Sequence, residues 1–121
     1  MILIHWTGQV VADNRKTTRT KHGVTVNRRA YAKGYVESVA WTIRAEAPGV
    51  HLERPGLFVQ FSLGAATDAT NALKGLLDGV QASGLVANDR NIAPVTVLPT
   101  LVHPRGELDE ASMAFYENGR G

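Results

Sequence analysis

Cysteine is absent from the 121 residues, so neither a disulfide framework nor a thiolate metal site can form. No apolar run is long enough to span a bilayer. The first eleven residues are interrupted by His5, Thr7 and Gln9, which excludes the apolar stretch of a signal peptide. A cytoplasmic protein with no membrane partner is the resulting expectation. Internal repeats and low-complexity segments are also missing. Gly64-Ala65-Ala66-Thr67 precedes a helical pattern but lacks the Gly-Lys-Ser/Thr element of a phosphate loop, so no nucleotide cofactor is expected. Ser62, Ser83 and Ser112 stand outside any nucleophile-elbow context. His5, His22, His51 and His103 show no ligand spacing and read as surface or strand residues. Trp6 and Trp41 read as core.

Acidic residues are missing from one long stretch. Between Asp13 and Glu37 every charged residue is basic: Arg15, Lys16, Arg19, Lys21, Arg28, Arg29 and Lys33. Thr17, Thr18, Thr20 and Thr25 lie among them, and hydroxyls beside cations suit phosphate contacts. The chain's net charge of +2 hides this asymmetry. Residues 1–54 carry nine Lys/Arg against four Asp/Glu, whereas the remainder carries four against seven. A charge run is most often a solvated loop, and a loop that orders on DNA has the same composition.

The length suits one domain with one core. The patterning predicts an α/β (α+β) chain in the order β-α-β-α-β, a mixed sheet packed by two main helices. Ile2–Val11 is the first strand, and Thr25–Asn27 extends a short strand or hairpin arm. A helix runs from near Asn27 to Ala47, with Val36, Val39, Ala40, Ile43 and Ala47 as its apolar stripe and Pro48-Gly49 as its stop. Leu57–Leu63 alternates as a strand. Pro94–His103 is a strand interrupted by Pro99, which marks an edge or a bulge. Asp109–Tyr116 is predicted as a short helix within a polar C-terminal tail, 104–121. Residues 13–29 form the basic segment.

The second helix carries the chemistry. Leu73, Leu76, Leu77 and Val80 recur at helical spacing and define its buried face. Thr70, Asn71, Lys74 and Asp78 occupy the opposite face. Thr67 or Asp68 serves as N-cap and Ser83-Gly84 as the stop. Asp68 therefore stands where the helix dipole favours an anion. Taken alone, these residues read as a capped amphipathic helix with a solvated lysine.

In order, Asp68-Ala69-Thr70-Asn71-Ala72-Leu73-Lys74, followed by Gly84-Leu85-Val86-Ala87-Asn88-Asp89, resembles the RusA family of Holliday junction resolvases. These are small metal-dependent DNA endonucleases, often carried by phages and prophages. The family has a D-x-D-N-x-x-K motif at a helix start and an acidic pair one helix later. The spacing from Asp68 to Asp89 is kept without gaps. Thr70 stands where the family has its second aspartate, and Asn88 where it has the first of the acidic pair. The resemblance covers roughly residues 2 to 103.

It implies a homodimer that cuts branched DNA, four-way junctions above all, using Mg²⁺ or Mn²⁺. Asp68 and Asp89 would bind the metal, with Thr70 as at best a neutral oxygen. Lys74 would stabilise transition-state charge, and Asn71 would orient the motif. Asn14, Arg15, Lys16, Arg19, Lys21, Arg28 and Arg29 would contact DNA. Asp78 could replace the missing carboxylate only if the helix shifted. Two alternatives remain: a junction-binding protein without catalysis, because ligand charge tunes affinity for hard cations, and an adaptor that binds a host protein.

Overall fold

The computed structural model describes residues 1–11, 17–19, 25–65 and 67–117, with side chains for 1–11, 33–65 and 67–117. It is a mixed α+β fold. In chain order the elements are β1 (Ile2–Gly8), β2 (Thr17–Arg19), β3 (Thr25–Asn27), α1 (Arg28–Glu46), β4 (Pro55–Leu63), α2 (Ala69–Ser83), β5 (Val95–Val97), β6 (Leu101–Val102) and β7 (Asp109–Glu117). A single 3₁₀ turn, Asp89–Asn91, lies between α2 and β5. Asn14, Arg15, Lys16 and Lys21 of the expected DNA-contacting segment lie outside the described residues. Arg19 falls in the β2–β3 hairpin arm, and Arg28 and Arg29 open α1.

The main sheet has the order β1-β7-β4-β5, with β6 also paired to β4. β7 runs antiparallel to both β1 and β4, whereas β5 and β6 run parallel to β4. Across Pro99 the pairing with β4 slips by one residue, so the expected strand over 94–103 is two short ones with a bulge. Its parallel course follows from the intervening helix, because parallel neighbours need a crossover connection.

One expectation is overturned. Asp109–Glu117 is neither a helix nor part of a tail but the strand between β1 and β4. Asp109, Ala111, Met113 and Phe115 are buried, and the intervening residues face away. Glu110, Ala111, Met113 and Ala114 are good helix formers in isolation. Two flanking strands outweigh that local preference, and β-propensity is chiefly packing against such neighbours.

The core lies between the sheet and the two helices. Trp6, Leu57, Val59, Phe61, Leu63 and Phe115 rise from the sheet to meet Tyr35, Val39 and Ile43 of α1 and Leu76 and Val80 of α2. Each such side chain contributes about 1.5–3 kcal/mol on burial. Trp6 also donates from Nε1 to Ser38 Oγ at 3.0 Å, so its one polar atom is satisfied. Trp41 corrects the other tryptophan assignment: it is 69% exposed. It lies two residues from both Val39 and Ile43, about 200° around the helix from each.

The two helices cross closely because Gly79 meets Val39: a Cβ at Gly79 would stand 2.6 Å from the Val39 Cβ. α2 starts at the N-cap Asp68 and ends at Gly84, whose φ of 88° is the left-handed conformation that glycine adopts without penalty.

Candidate functional site

Asp68 is extended in backbone, and its Oδ1 accepts a hydrogen bond from the Thr70 N–H at 2.8 Å. That is the N-cap bond that satisfies one orphan donor of the helix start. Thr70 and Lys74 are exposed, one turn apart, and Asn71 beside them is half-buried. Asp78 is exposed one turn further on. The structure thus gathers Asp68, Thr70, Asn71 and Lys74 at the beginning of α2, on the side away from Ala72, Leu76 and Val80.

Asp89 is elsewhere. α2 is 15 residues long and spans about 22 Å. Beyond it the chain turns under the helix, where the Asp89 N–H donates to Gln81 Oε1 at 3.0 Å. Asn88 caps the 3₁₀ turn, its Oδ1 accepting from the Arg90 N–H at 2.9 Å. Four residues on from Asp89, the Ala93 N–H donates to the Pro55 carbonyl, at the first residue of β4. Asp68 follows the last residues of β4. The two aspartates therefore stand at opposite ends of α2, roughly 20 Å apart by helical rise. Ligands of one hard cation must lie within about 2.6 Å of it, so Asp68 and Asp89 of a single chain do not fit a shared metal. Among the described residues, no three His, Cys, Asp or Glu side chains converge in a way that could hold one.

The same end of the sheet that carries Asp68 holds a polar centre not anticipated from the sequence. Asp109 is buried. Its Oδ2 accepts from the Val10 N–H at 2.9 Å, and its Oδ1 from the Gly64 N–H at 3.3 Å. His103 Nε2 lies 2.6 Å from the same Oδ1, and His103 Nδ1 lies 2.8 Å from the Pro104 carbonyl. Both ring nitrogens face acceptors, an arrangement that only a doubly protonated ring satisfies at both ends. The Pro104 carbonyl, then the Asp109 carboxylate, hold its pKa above the ordinary imidazole value. Tyr35 lies within the field of the same carboxylate. Burial, then Asp109, keep its phenol protonated well beyond the usual range, and its hydroxyl donates to the Ala72 carbonyl at 2.6 Å. The composition of 103–109 held one signal, a histidine and an aspartate bracketing a Pro-Arg-Gly turn. Assigning Asp109 to a surface helix hid it.

A second polar row crosses the opposite face of the sheet. His5 Nδ1 is 3.1 Å from Ser112 Oγ, and His5 Nε2 is 2.8 Å from Glu110 Oε1. Gln60 extends the row to the Pro99 carbonyl at 3.0 Å. Beside it, Leu3, Phe58, Leu98 and Ala114 line an open depression of about 410 Å³.

No helix among the described residues is long and apolar enough to cross a membrane. No protein-family model and no curated protein sequence matches this chain.

Proposed function

We propose that this chain is a RusA-like protein acting on branched DNA as a pair of identical subunits, an endodeoxyribonuclease dependent on Mg²⁺ or Mn²⁺. One observation carries the reading. Asp68, Asn71 and Lys74 stand together at the start of α2, and Asp89 stands at the far end of the same helix. Two copies with their α2 helices side by side and antiparallel would set Asp68 of one subunit beside Asp89 of the partner subunit, twice, about one helix length apart. A two-fold pair is the commonest closed assembly. Two symmetric sites also answer the need to cut two opposed strands of a four-way junction.

Within such a site the chain's own groups have separable parts. The exposed ammonium of Lys74 is free of the packing that holds Leu76 and can reach a phosphate oxygen, where a cation stabilises developing negative charge. Asp68 is held in place by its bond to the Thr70 N–H. Thr70 offers a neutral hydroxyl one turn before Lys74. The basic segment between Asp13 and Glu37 supplies the sequence-independent attraction to DNA.

The test is complementation. Asp68→Asn and Asp89→Asn are each assayed on a synthetic four-way junction with Mg²⁺ and with Mn²⁺, then mixed to allow subunit exchange. A shared site predicts two inactive variants whose mixture regains cleavage, because one of the two sites in a mixed dimer is intact. A site within one chain would leave the mixture dead.

A binding-only reading is favoured by one observation, the neutral Thr70 where the motif has a carboxylate. It predicts a metal-independent gel shift with the junction and no cleavage by the unaltered chain in either metal.

A further inference from the structure

The start of α2 is not free to drift, and the groups that hold it form a chain of contacts. The Asp109 carboxylate accepts from the Gly64 N–H. The Gly64 carbonyl accepts from the Thr67 N–H at 3.0 Å, and Asp68 follows at once as the N-cap. From the helix side, the Tyr35 hydroxyl grips the Ala72 carbonyl in the first turn. Two further segments end on the same carboxylate: the stretch after β1 through Val10 and the turn after β6 through His103. His103 is itself anchored by its own N–H to the Leu63 carbonyl, at the end of β4.

We propose that His103 and Asp109 are positioning residues for Asp68: together they fix the turn from Gly64 to the start of α2, and they do so fully only while the imidazole carries both protons. The clamp stands on the geometry alone, but its consequence for activity rests on the reading of Asp68 as a functional carboxylate.

The chemistry of the ring sets the condition. A neutral imidazole donates from one nitrogen only. With the proton kept on Nε2, the lone pair of Nδ1 would face the Pro104 carbonyl at 2.8 Å, and the two would repel. With the proton kept on Nδ1, the same conflict would arise with Asp109 at 2.6 Å. Either way the ring must move, and the carboxylate that holds Gly64 loses its strongest partner or its alignment. The carboxylates near the ring favour the protonated form, and the ring's loss of contact with water opposes it less strongly. Asp109 of β7 and Glu107 of the preceding turn are negative. Tyr35 of α1, also within the field of Asp109, stays neutral. The end of β4 meets the centre through the Gly64 N–H. Arg105 is exposed, and Glu110 turns to the opposite face, where it pairs with His5. The Pro104 carbonyl and then Asp109 hold His103 above its ordinary value, so the clamp is closed below that raised value and opens as pH climbs through it.

The experiment follows amide exchange at Gly64, Val10 and Thr70 by NMR between pH 5 and 9, with exchange rates corrected for their intrinsic pH dependence. The Thr70 amide reports the Asp68 cap directly. In the unaltered protein, protection at all three should fall about tenfold or more as the imidazole titrates, the scale of one charge-assisted hydrogen bond. His103→Gln, with one donor group and no charge, should lower protection at every pH and abolish the pH dependence. His103→Arg, which keeps a permanent charge and several donors, should restore flat, high protection at Gly64. Asp109→Asn should remove the pH dependence as well. Unchanged protection at Gly64 and Thr70 in folded His103→Gln, or flat protection across the titration in the unaltered chain, would overturn the proposal. Junction cleavage is measured in parallel. If the unaltered chain cuts, its rate should lose the same alkaline limb in His103→Arg. If nothing cuts, the functional reading fails while the amides still decide on the clamp.

Discussion

Asp109 and Glu110 are neighbours on one strand, and each pairs with a histidine, but they do different things. The His103–Asp109 contact is 2.6 Å long between side chains that are both 10% exposed. The His5–Glu110 contact is 2.8 Å long between side chains that are 51% and 46% exposed. The pleat of β7 sends one carboxylate into the interior and the other to the bare face of the sheet. Inside, the carboxylate has gathered two main-chain N–H groups besides its histidine, because a buried charge without partners is costly. Outside, water competes for every partner, and such pairs contribute little. Near-identical distances therefore say little about strength, and burial with its accompanying hydrogen bonds says most.

Four substitutions sharpen or break that contrast. The largest effect is expected from Asp109→Ala, which leaves Val10, Gly64 and His103 without their shared acceptor. Removal of a buried, multiply bonded carboxylate should destabilise the fold by roughly 2–4 kcal/mol, read by denaturant unfolding at pH 7. His103→Gln should cost less at pH 7 and change the pH dependence instead. A histidine whose folded pKa is raised adds stability that is complete below the unfolded value near 6.5 and is lost as pH rises through the folded value. Unfolding measured from pH 6 to 9 should show that decline in the parent and not in the variant. Tyr35→Phe removes the hydroxyl from the Ala72 carbonyl and should cost about 1 kcal/mol, with amide exchange in the first turn of α2 rising most. Glu110→Gln should be the mildest, within about 0.5 kcal/mol of the parent. A loss above 1.5 kcal/mol there would sink the view that the outer pair is weak.

Local pattern was enough for the elements whose partners are close in sequence. The apolar spacing of Leu73, Leu76, Leu77 and Val80, with Asp68 and Gly84 at its ends, marks α2 almost to the residue. Pro48-Gly49 closes α1, and Pro99 divides the last parallel strand. β7 was not legible in that way. Its place depends on residues 2–8 lying on one side and 55–62 on the other, and a segment of Glu, Ala and Met carries no local sign of that. The candidate site divides similarly. The capping role of Asp68 could be read from one turn of helix. The distance from Asp68 to Asp89 was also available, because a helix between them imposes its own length, and motif spacing alone conceals that separation. The joining of His103 to Asp109 needed the strand assignment first.

The slip at Pro99 has a consequence for the sheet edge. Val97, Leu98, Leu101 and Val102 are exposed apolar residues along the outer border of the sheet, where an incoming strand could add and start a fibril. A docking strand needs a continuous, evenly spaced ladder of free N–H and C=O groups. Here three paired residues are followed by a break, a proline without an N–H, and two residues in a different register. That border offers an incoming strand no more than a few consecutive bonds, so its exposed apolar side chains lie along a poor template for strand addition.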